Sequence, residues 1–289
     1  MNRLDLRPLS LGEVLDRTFS LYRRHFLLFT GIAAIPHLLT LALGLLQVLY
    51  LQHPVVIGQG QKARTVMASA HGAAASIIVG LVTLVVILIV YLLSQGGTVV
   101  AVSELYLGRQ TSIGASLRRA WGDIVSLFGV IALNGLATFA GLLLLVIPGF
   151  YFACRLLVCV PAALIEGRGP QESLSRSWNL TRGYAGRAFI VYGLYFVLVF
   201  GIGALIGGPI SFAINSFRND PSMLRVWMSV QQIASVLMTT VLTPLLLIGT
   251  SLFYFDLRVR KEAFDLQFMM DPTSERIAPG GGPVLSILS

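Results

Sequence analysis

Five long runs without a charged residue constrain this chain more than any other feature of its sequence. They cover residues 25–61, 65–103, 124–154, 188–217 and 226–255, and none contains Asp, Glu, Lys or Arg. A helix crosses about 30 Å of hydrocarbon with roughly 20 apolar residues, so each run is long enough to span a membrane. Charged residues make up only 12% of the chain, about half of what a soluble domain carries. The sequence therefore predicts an all-α integral membrane protein.

Six transmembrane helices fit into these runs as three hairpins. The predicted crossings are Phe26 to Leu51, Ala74 to Ser103, Val125 to Val146, Phe150 to Ile165, Phe189 to Ile210 and Gln232 to Phe255. Residues 147–149, Ile-Pro-Gly, predict a tight turn between the third and fourth crossings, because proline interrupts helices and glycine accepts turn geometry. Residues 1–268 are expected to form one transmembrane domain, and the Pro- and Gly-rich residues 269–289 a disordered tail.

The distribution of basic residues predicts the orientation. With six crossings, sixteen of the 21 Lys and Arg residues lie on the side that holds both termini. The other side has only Lys62, Arg64, Arg155, Arg218 and Arg225. Because basic loops stay in the cytoplasm, both termini are expected there, in the cytoplasmic membrane. The net charge of +8 then reflects topology and contact with anionic lipid headgroups, and it does not call for nucleic-acid binding.

A short motif recurs before each pair of crossings. Residues 10–19 read SLGEVLDRTF, residues 112–121 read SIGASLRRAW, and residues 169–178 read GPQESLSRSW. All three share Leu-x-Arg-x-aromatic, which indicates three repeats over about 8–103, 110–165 and 169–258. Repeats of one orientation predict an approximate three-fold bundle around the membrane normal.

Each motif is expected to form an amphipathic helix on the cytoplasmic face. Ser10 and Glu13 have the spacing of a capping box, which predicts where the first helix begins. At 100° per residue its apolar face comprises Leu11, Val14, Leu15, Phe19, Tyr22 and Phe26. The corresponding face of the second helix comprises Ile113, Leu117, Trp121, Ile124 and Phe128.

Acidic residues end the even-numbered crossings, at Glu104, Glu166 and Asp256. They are natural partners for the motif arginines, which would then form a basic collar. One interpretation is that the collar fixes the amphipathic helices through salt bridges and lipid phosphates, with the tryptophans in the aromatic belt. The other is that it recognises an anionic headgroup or a protein partner. The candidate contacts are Arg17, Arg119, Arg176, Trp121, Trp178, Glu166, Arg168 and Arg182.

Three polar residues within the apolar runs form a candidate intramembrane site, namely Arg155, Asn134 and His37. Arg155 either binds a substrate or, as we expect, extends its side chain to the outer headgroups or a backbone carbonyl. His37 follows Pro36, where a freed carbonyl favours a hydrogen bond over a proton relay. Asn134 is expected to bond between helices. The histidine spacings fit no metal site, and no cofactor is expected.

Five segments together resemble a known bacterial family. They are Arg7–Glu13, Pro148–Arg155, Pro161–Pro170, Arg176–Gly183 and Tyr254–Glu262. The chain resembles, over roughly residues 4 to 268, the membrane domain of glycerophosphoryl diester phosphodiesterases, a family that also includes stand-alone membrane proteins. The resemblance implies a helical membrane domain that accompanies a catalytic barrel in the full-length enzymes. Such a barrel needs well over about 200 residues, which this chain does not have outside its crossings.

The sequence thus favours a non-enzymatic membrane module that contacts lipid or a membrane or cytoplasmic protein partner. One alternative is a transporter or exporter of an amphiphilic substrate. Another is a membrane domain that acts with a separate glycerophosphodiester phosphodiesterase. Against ion-coupled transport, no Asp or Glu lies in the middle of a predicted crossing.

Overall fold

The computed structural model describes residues 8–48, 52–57, 64–69 and 73–262. Over these residues the chain forms ten helices and one pair of strands. In chain order they are α1 (Leu11–Arg24), α2 (Phe26–Leu46), β1 (Gln52–Ile57), β2 (Arg64–Ser69), α3 (Ala73–Tyr106), α4 (Ile113–Gly122), α5 (Ile124–Leu144), α6 (Val146–Arg155), α7 (Cys159–Glu166), α8 (Pro170–Leu180), α9 (Ala185–Ser216) and α10 (Pro221–Glu262). The predicted tail, 269–289, lies outside the described residues.

Six helical segments of the described chain are long and apolar enough to cross a membrane. They are α2, α3, α5, α6 together with α7, α9 and α10. A short helix precedes each pair of them: α1 before α2 and α3, α4 before α5 and α6, and α8 before α9 and α10. The chain is an all-α, multi-pass membrane protein, as the charge-free runs predict.

The turn between the third and fourth crossings lies earlier than the sequence predicts. It consists of the single extended residue Leu145, between the end of α5 at Leu144 and the start of α6 at Val146. Pro148 lies in the first turn of α6, where a missing backbone N–H breaks no helical hydrogen bond. The predicted turn through residues 147–149 is therefore wrong, because proline here starts a helix and does not end one.

Gly149 allows the two helices of this hairpin to approach closely. A Cβ atom at this position would lie 2.8 Å from the backbone nitrogen of Leu142. On the other side of the contact, a Cβ on Gly141 would lie 3.0 Å from the Cα of Gly149. The glycine of the motif thus serves packing between helices.

The last helix is longer than predicted. α10 has 42 residues and begins at Pro221, whereas the predicted crossing begins at Gln232. It has about twice the roughly 20 residues that cross the hydrocarbon of a membrane. Its final turns carry Tyr254, Asp256, Arg258 and Glu262 into the polar clusters described below.

The link between α2 and α3 contains an antiparallel strand pair, with Val55 opposite Val66.

The described residues divide into two compact units. One comprises 8–32, 92–194 and 244–262, and the other 33–91 and 195–243. The first contains two buried apolar clusters, one around Tyr254 and Phe255 and one around Phe29 and Ile248. In the second unit, Gln47 Nε2 donates a hydrogen bond to Thr83 Oγ1 at 2.5 Å, which joins α3 to the residues just after α2.

Candidate functional site

The three short helices α1, α4 and α8, hereafter the lead helices, share one register. Each begins six residues before its motif arginine, after Ser10, Ser112 and Gly169 respectively. The predicted capping box is present, since the Ser10 hydroxyl accepts from the Glu13 N–H and the Glu13 carboxylate accepts from the Ser10 N–H. Residues of equal rank in the three motifs can therefore be compared directly.

The buried face of the lead helices differs from the predicted apolar face. The positions three before and one after the motif arginine are buried in every copy. They are Val14 and Thr18 in α1, Ser116 and Ala120 in α4, and Ser173 and Ser177 in α8. Phe19 and Trp121, which belong to the predicted apolar faces, are 40% and 57% exposed. In a membrane protein the large apolar side chains can face lipid, while small residues allow helices to approach each other.

Each lead helix lies against the last crossing of the preceding repeat. Ala120 of α4 would contact a Cβ placed on Gly96 of α3, at 2.9 Å. Ser177 of α8 donates to the backbone carbonyl of Arg155 at the end of α6. Thr18 of α1 would lie 3.6 Å from a Cβ on Gly249 of α10. The first lead helix thus contacts the third repeat. The contacts therefore join the first repeat to the second, the second to the third, and the third back to the first.

Acidic residues at the ends of those crossings make the polar part of the same contacts. We call Glu104, Glu166 and Asp256 the span-end acids. Glu104 accepts from Arg119 of α4 at 3.0 Å, and Glu166 accepts from Arg176 of α8 at 2.9 Å. These are two of the three pairs that the repeat predicts.

The third span-end acid holds the backbone in front of α1. Asp256 accepts from the Leu9 N–H at 2.7 Å, and it also binds Arg187 and Arg260, each at 3.0 Å. Both arginines donate in addition to the Leu9 carbonyl. These contacts form a clamp on Leu9 at the place where the repeat predicts a pair with Arg17. The first lead helix is nevertheless attached to the third repeat.

Glu166 lies at the centre of the largest polar cluster. Its side chain is only 3% exposed and accepts from the Tyr254 hydroxyl at 2.6 Å, from Arg176 and from Arg168. Glu262 also binds Arg176, and accepts from Arg258 at 3.1 Å. Burial lowers the pKa of Arg176. The hydrogen bonds and charges of Glu262 and Glu166 raise this pKa by more, so it lies above its ordinary value. The carboxylates are saturated with donors, which suits a structural clamp.

Tyr254 and Glu262 are site residues that the sequence analysis missed. With Arg258 they are spaced four residues apart along α10, so they lie on one face of that helix. This i, i+4, i+8 spacing of polar side chains at the end of an apolar run was the signal that could have found them.

Arg155 is buried inside the protein, whereas its side chain was expected to extend to the outer headgroups or to pair with a backbone carbonyl. It is 3% exposed, and its guanidinium lies 4.4 Å from the ring centre of Trp178 and 5.8 Å from that of Tyr151. Its Nε is buried without a hydrogen-bond partner. Among the described residues, no carboxylate forms a salt bridge with it.

A helix break explains how Arg155 comes to lie against α8. Pro161 lacks an N–H and its ring would clash with the carbonyl of Leu157, which interrupts the helix between α6 and α7. The Cys159 N–H bonds to Leu156, and the Arg155 carbonyl loses its helical donor. The hydroxyls of Ser177 and Thr181 take its place, both at 2.9 Å. This bond fixes Trp178 against the guanidinium.

The other members of the proposed intramembrane site make structural contacts. Asn134 donates to Cys159 Sγ at 3.3 Å and so joins α5 to α7. His37 belongs to the second unit, where its Nδ1 lies 2.6 Å from the Ala33 carbonyl oxygen of its own helix. Both cysteines are free and buried. Arg182 is exposed and follows α8.

Comparison with family models matches a region that holds most, but not all, of these cluster residues. Residues 99–257 match the model of a domain of unknown function (DUF7847). The chain belongs to this family. The matched region contains all three span-end acids and the lead helices α4 and α8. Neither curated proteins nor solved structures give a match.

Proposed function

We propose that this protein is a non-enzymatic module of the cytoplasmic membrane that holds anionic lipid headgroups around its lead helices. The observation that carries the proposal is an excess of arginine at every span-end acid. Glu104 is shared by Arg109 and Arg119, and Asp256 by Arg187 and Arg260. Glu166 and Glu262 are shared by Arg168, Arg176 and Arg258. Each cluster thus keeps one positive charge for an anion from outside.

Lipid is the partner that fits this arrangement best. The lead helices expose aromatic side chains such as Phe19 and Trp121, and aromatic rings concentrate where a membrane meets water. Basic residues beside them attract anionic headgroups by about 1 kcal/mol each.

The resemblance to the membrane domain of glycerophosphoryl diester phosphodiesterases stays a prediction beside this proposal. The family match carries no activity, and the three span-end acids are all engaged by arginine or backbone donors. We propose no hydrolysis by this chain. Purified protein that hydrolyses glycerophosphocholine above background would contradict this part of the proposal.

Lipid selectivity tests the proposed binding of anionic headgroups. The protein is placed in nanodiscs with equal phosphatidylglycerol and phosphatidylcholine, and native mass spectrometry counts the lipids that stay bound. We expect wild type to retain more phosphatidylglycerol, and the double variant Arg109→Gln, Arg168→Gln to lose most of this preference, since two cations contribute about 2 kcal/mol. Both residues are partly exposed, so the fold should survive.

The matched control is Lys62→Gln, Arg218→Gln, two cations predicted on the opposite side. It should retain phosphatidylglycerol like wild type. Equal retention of both lipids by wild type, or equal losses in the two double variants, would overturn the proposal.

A further inference from the structure

An apolar groove lies between α6 and the first turn of α9. Its walls include Ile147, Phe150, Tyr151, Ala185 and Phe189, and its volume is about 420 Å³. This lies within the roughly 300–1,000 Å³ typical of ligand sites. Since α6 and α9 belong to membrane crossings, an apolar chain could enter it from the bilayer.

A buried cation lies next to a residue of the groove wall. Tyr151 lines the groove and also contacts the guanidinium of Arg155. Only 3% of Arg155 is exposed, and its Nε has no hydrogen-bond partner. A buried charge without a counter-ion is strongly unfavourable, whereas an anion at this place would receive a charge-assisted hydrogen bond.

Two further cations lie near Arg155. Arg182 precedes α9 by three residues, and Lys261 is close enough to both Arg155 and Arg182 for their charges to repel it. Glu262 also acts on Lys261, but it is already bound by Arg176 and Arg258. The Lys261 amino group donates to the Asn179 carbonyl, which holds it beside α8.

We propose that this groove and these three cations bind one anionic phospholipid. The lipid phosphate lies among Arg155, Arg182 and Lys261, and one acyl chain runs along Phe150 and Phe189. The rings of Trp178 and Tyr151 hold the guanidinium in place by cation–π contact. This site deepens the proposed function, on which it rests, by giving one of the bound lipids a defined place.

Titration with a defined lipid tests the site. The full-length protein in a neutral detergent is titrated with dioleoyl phosphatidylglycerol, and native mass spectrometry measures the first bound lipid. We expect wild type to bind one lipid at least about ten times more tightly than dioleoyl phosphatidylcholine, as a charge-assisted hydrogen bond provides. Arg155→Gln should abolish this difference.

Groove filling separates the acyl-chain contact from the charge contact. Gly186 lines the groove, and a Cβ there would meet nothing within 4 Å, so Gly186→Leu should fill it and weaken lipid binding about as much as Arg155→Gln. Gly193→Leu, on the same helix and equally free of Cβ contacts, is the control and should bind like wild type.

Stability gives a readout that a merely structural Arg155 would not produce. Without lipid, Arg155→Gln should unfold at the same temperature as wild type or higher, because it removes an uncompensated buried charge. Phosphatidylglycerol should then stabilise wild type and leave the variant unchanged. A variant that is less stable than wild type without lipid would overturn the site.

Three other outcomes also overturn this lipid site and leave the proposed function standing. They are tight lipid binding by Arg155→Gln, tight binding by Gly186→Leu, and displacement of the lipid by millimolar inorganic phosphate. By contrast, wild type that does not distinguish the two lipids in nanodiscs would remove the proposed function itself.

Discussion

At the scale of single residues, the buried carboxylates depend on the arginines around them. Glu166 is 3% exposed and accepts from Arg176, Arg168 and the Tyr254 hydroxyl. Neither partner of such a cluster is stable alone, because an uncompensated buried charge is strongly unfavourable. The cluster joins α7, α8 and α10, so its loss would loosen three elements at once.

Glu166→Gln should therefore destabilise the protein by about 3–5 kcal/mol, the range for breaking a buried ion pair. It keeps the side-chain shape and leaves Arg176 and Arg258 with one carboxylate, Glu262. The free energy of unfolding in detergent, measured with a chemical denaturant, checks this.

Glu172→Gln is the matched control, since Glu172 lies on the exposed side of the same α8 helix. It should change stability by less than about 0.5 kcal/mol. Equal effects of the two substitutions would show that Glu166 does not hold the cluster together.

The sequence could predict some of these residues for a physical reason. Arg119 and Arg176 occupy the same motif position, and an acid, Glu104 or Glu166, ends the crossing before each of them. The repeat alone therefore predicted these two pairs. Leu9 could not be found, because it binds Asp256 through its backbone and no side-chain pattern marks it. The Arg155 contact was also missed, because hydropathy does not show that Pro161 interrupts the crossing.

At the scale of elements, the same hydrophobic pattern has two opposite meanings. In water, large apolar residues mark the face that turns inward, whereas Phe19 and Trp121 of the predicted apolar faces are exposed. Beside lipid, the inward face is marked by small residues such as Ser116 and Ser173. The existence and order of the helices were predictable, whereas the inward face of the lead helices was not.

The α5–α6 hairpin offers a sharp test at this scale. Gly149→Ala places a Cβ 2.8 Å from the Leu142 backbone nitrogen, so the helices must separate. We expect a loss of about 1–3 kcal/mol, as for overpacked cores, measured as a lower midpoint of thermal unfolding in detergent.

Gly135→Ala serves as the comparison, since it lies on α5 and its Cβ would meet nothing within 4 Å. It should leave the midpoint unchanged or raise it slightly, because alanine favours helix. A Gly149→Ala midpoint equal to that of Gly135→Ala would contradict close packing at this turn.

At the scale of the whole molecule, the three lead helices and the ends of the crossings that they contact lie in the first unit. Each lead helix contacts the last crossing of the repeat before it, and the contact of α1 with α10 returns the order to its start. The three repeats stay a prediction from the ten-residue motifs. The sequence could not predict that Leu9 and Asp256 connect the two ends of the repeated region.

The central claim is that all three lead helices lie on the cytoplasmic face, and cysteine labelling tests it most directly. Both native cysteines are replaced by alanine, and Gly12→Cys, Gly114→Cys or Glu172→Cys is added, one in each lead helix at an exposed position. Asn219→Cys, in the link between α9 and α10, reports the other side. With a membrane-impermeant maleimide on intact spheroplasts, we predict that only Asn219→Cys reacts, and that the other three react after permeabilisation. Labelling of any lead helix in intact spheroplasts would contradict the account.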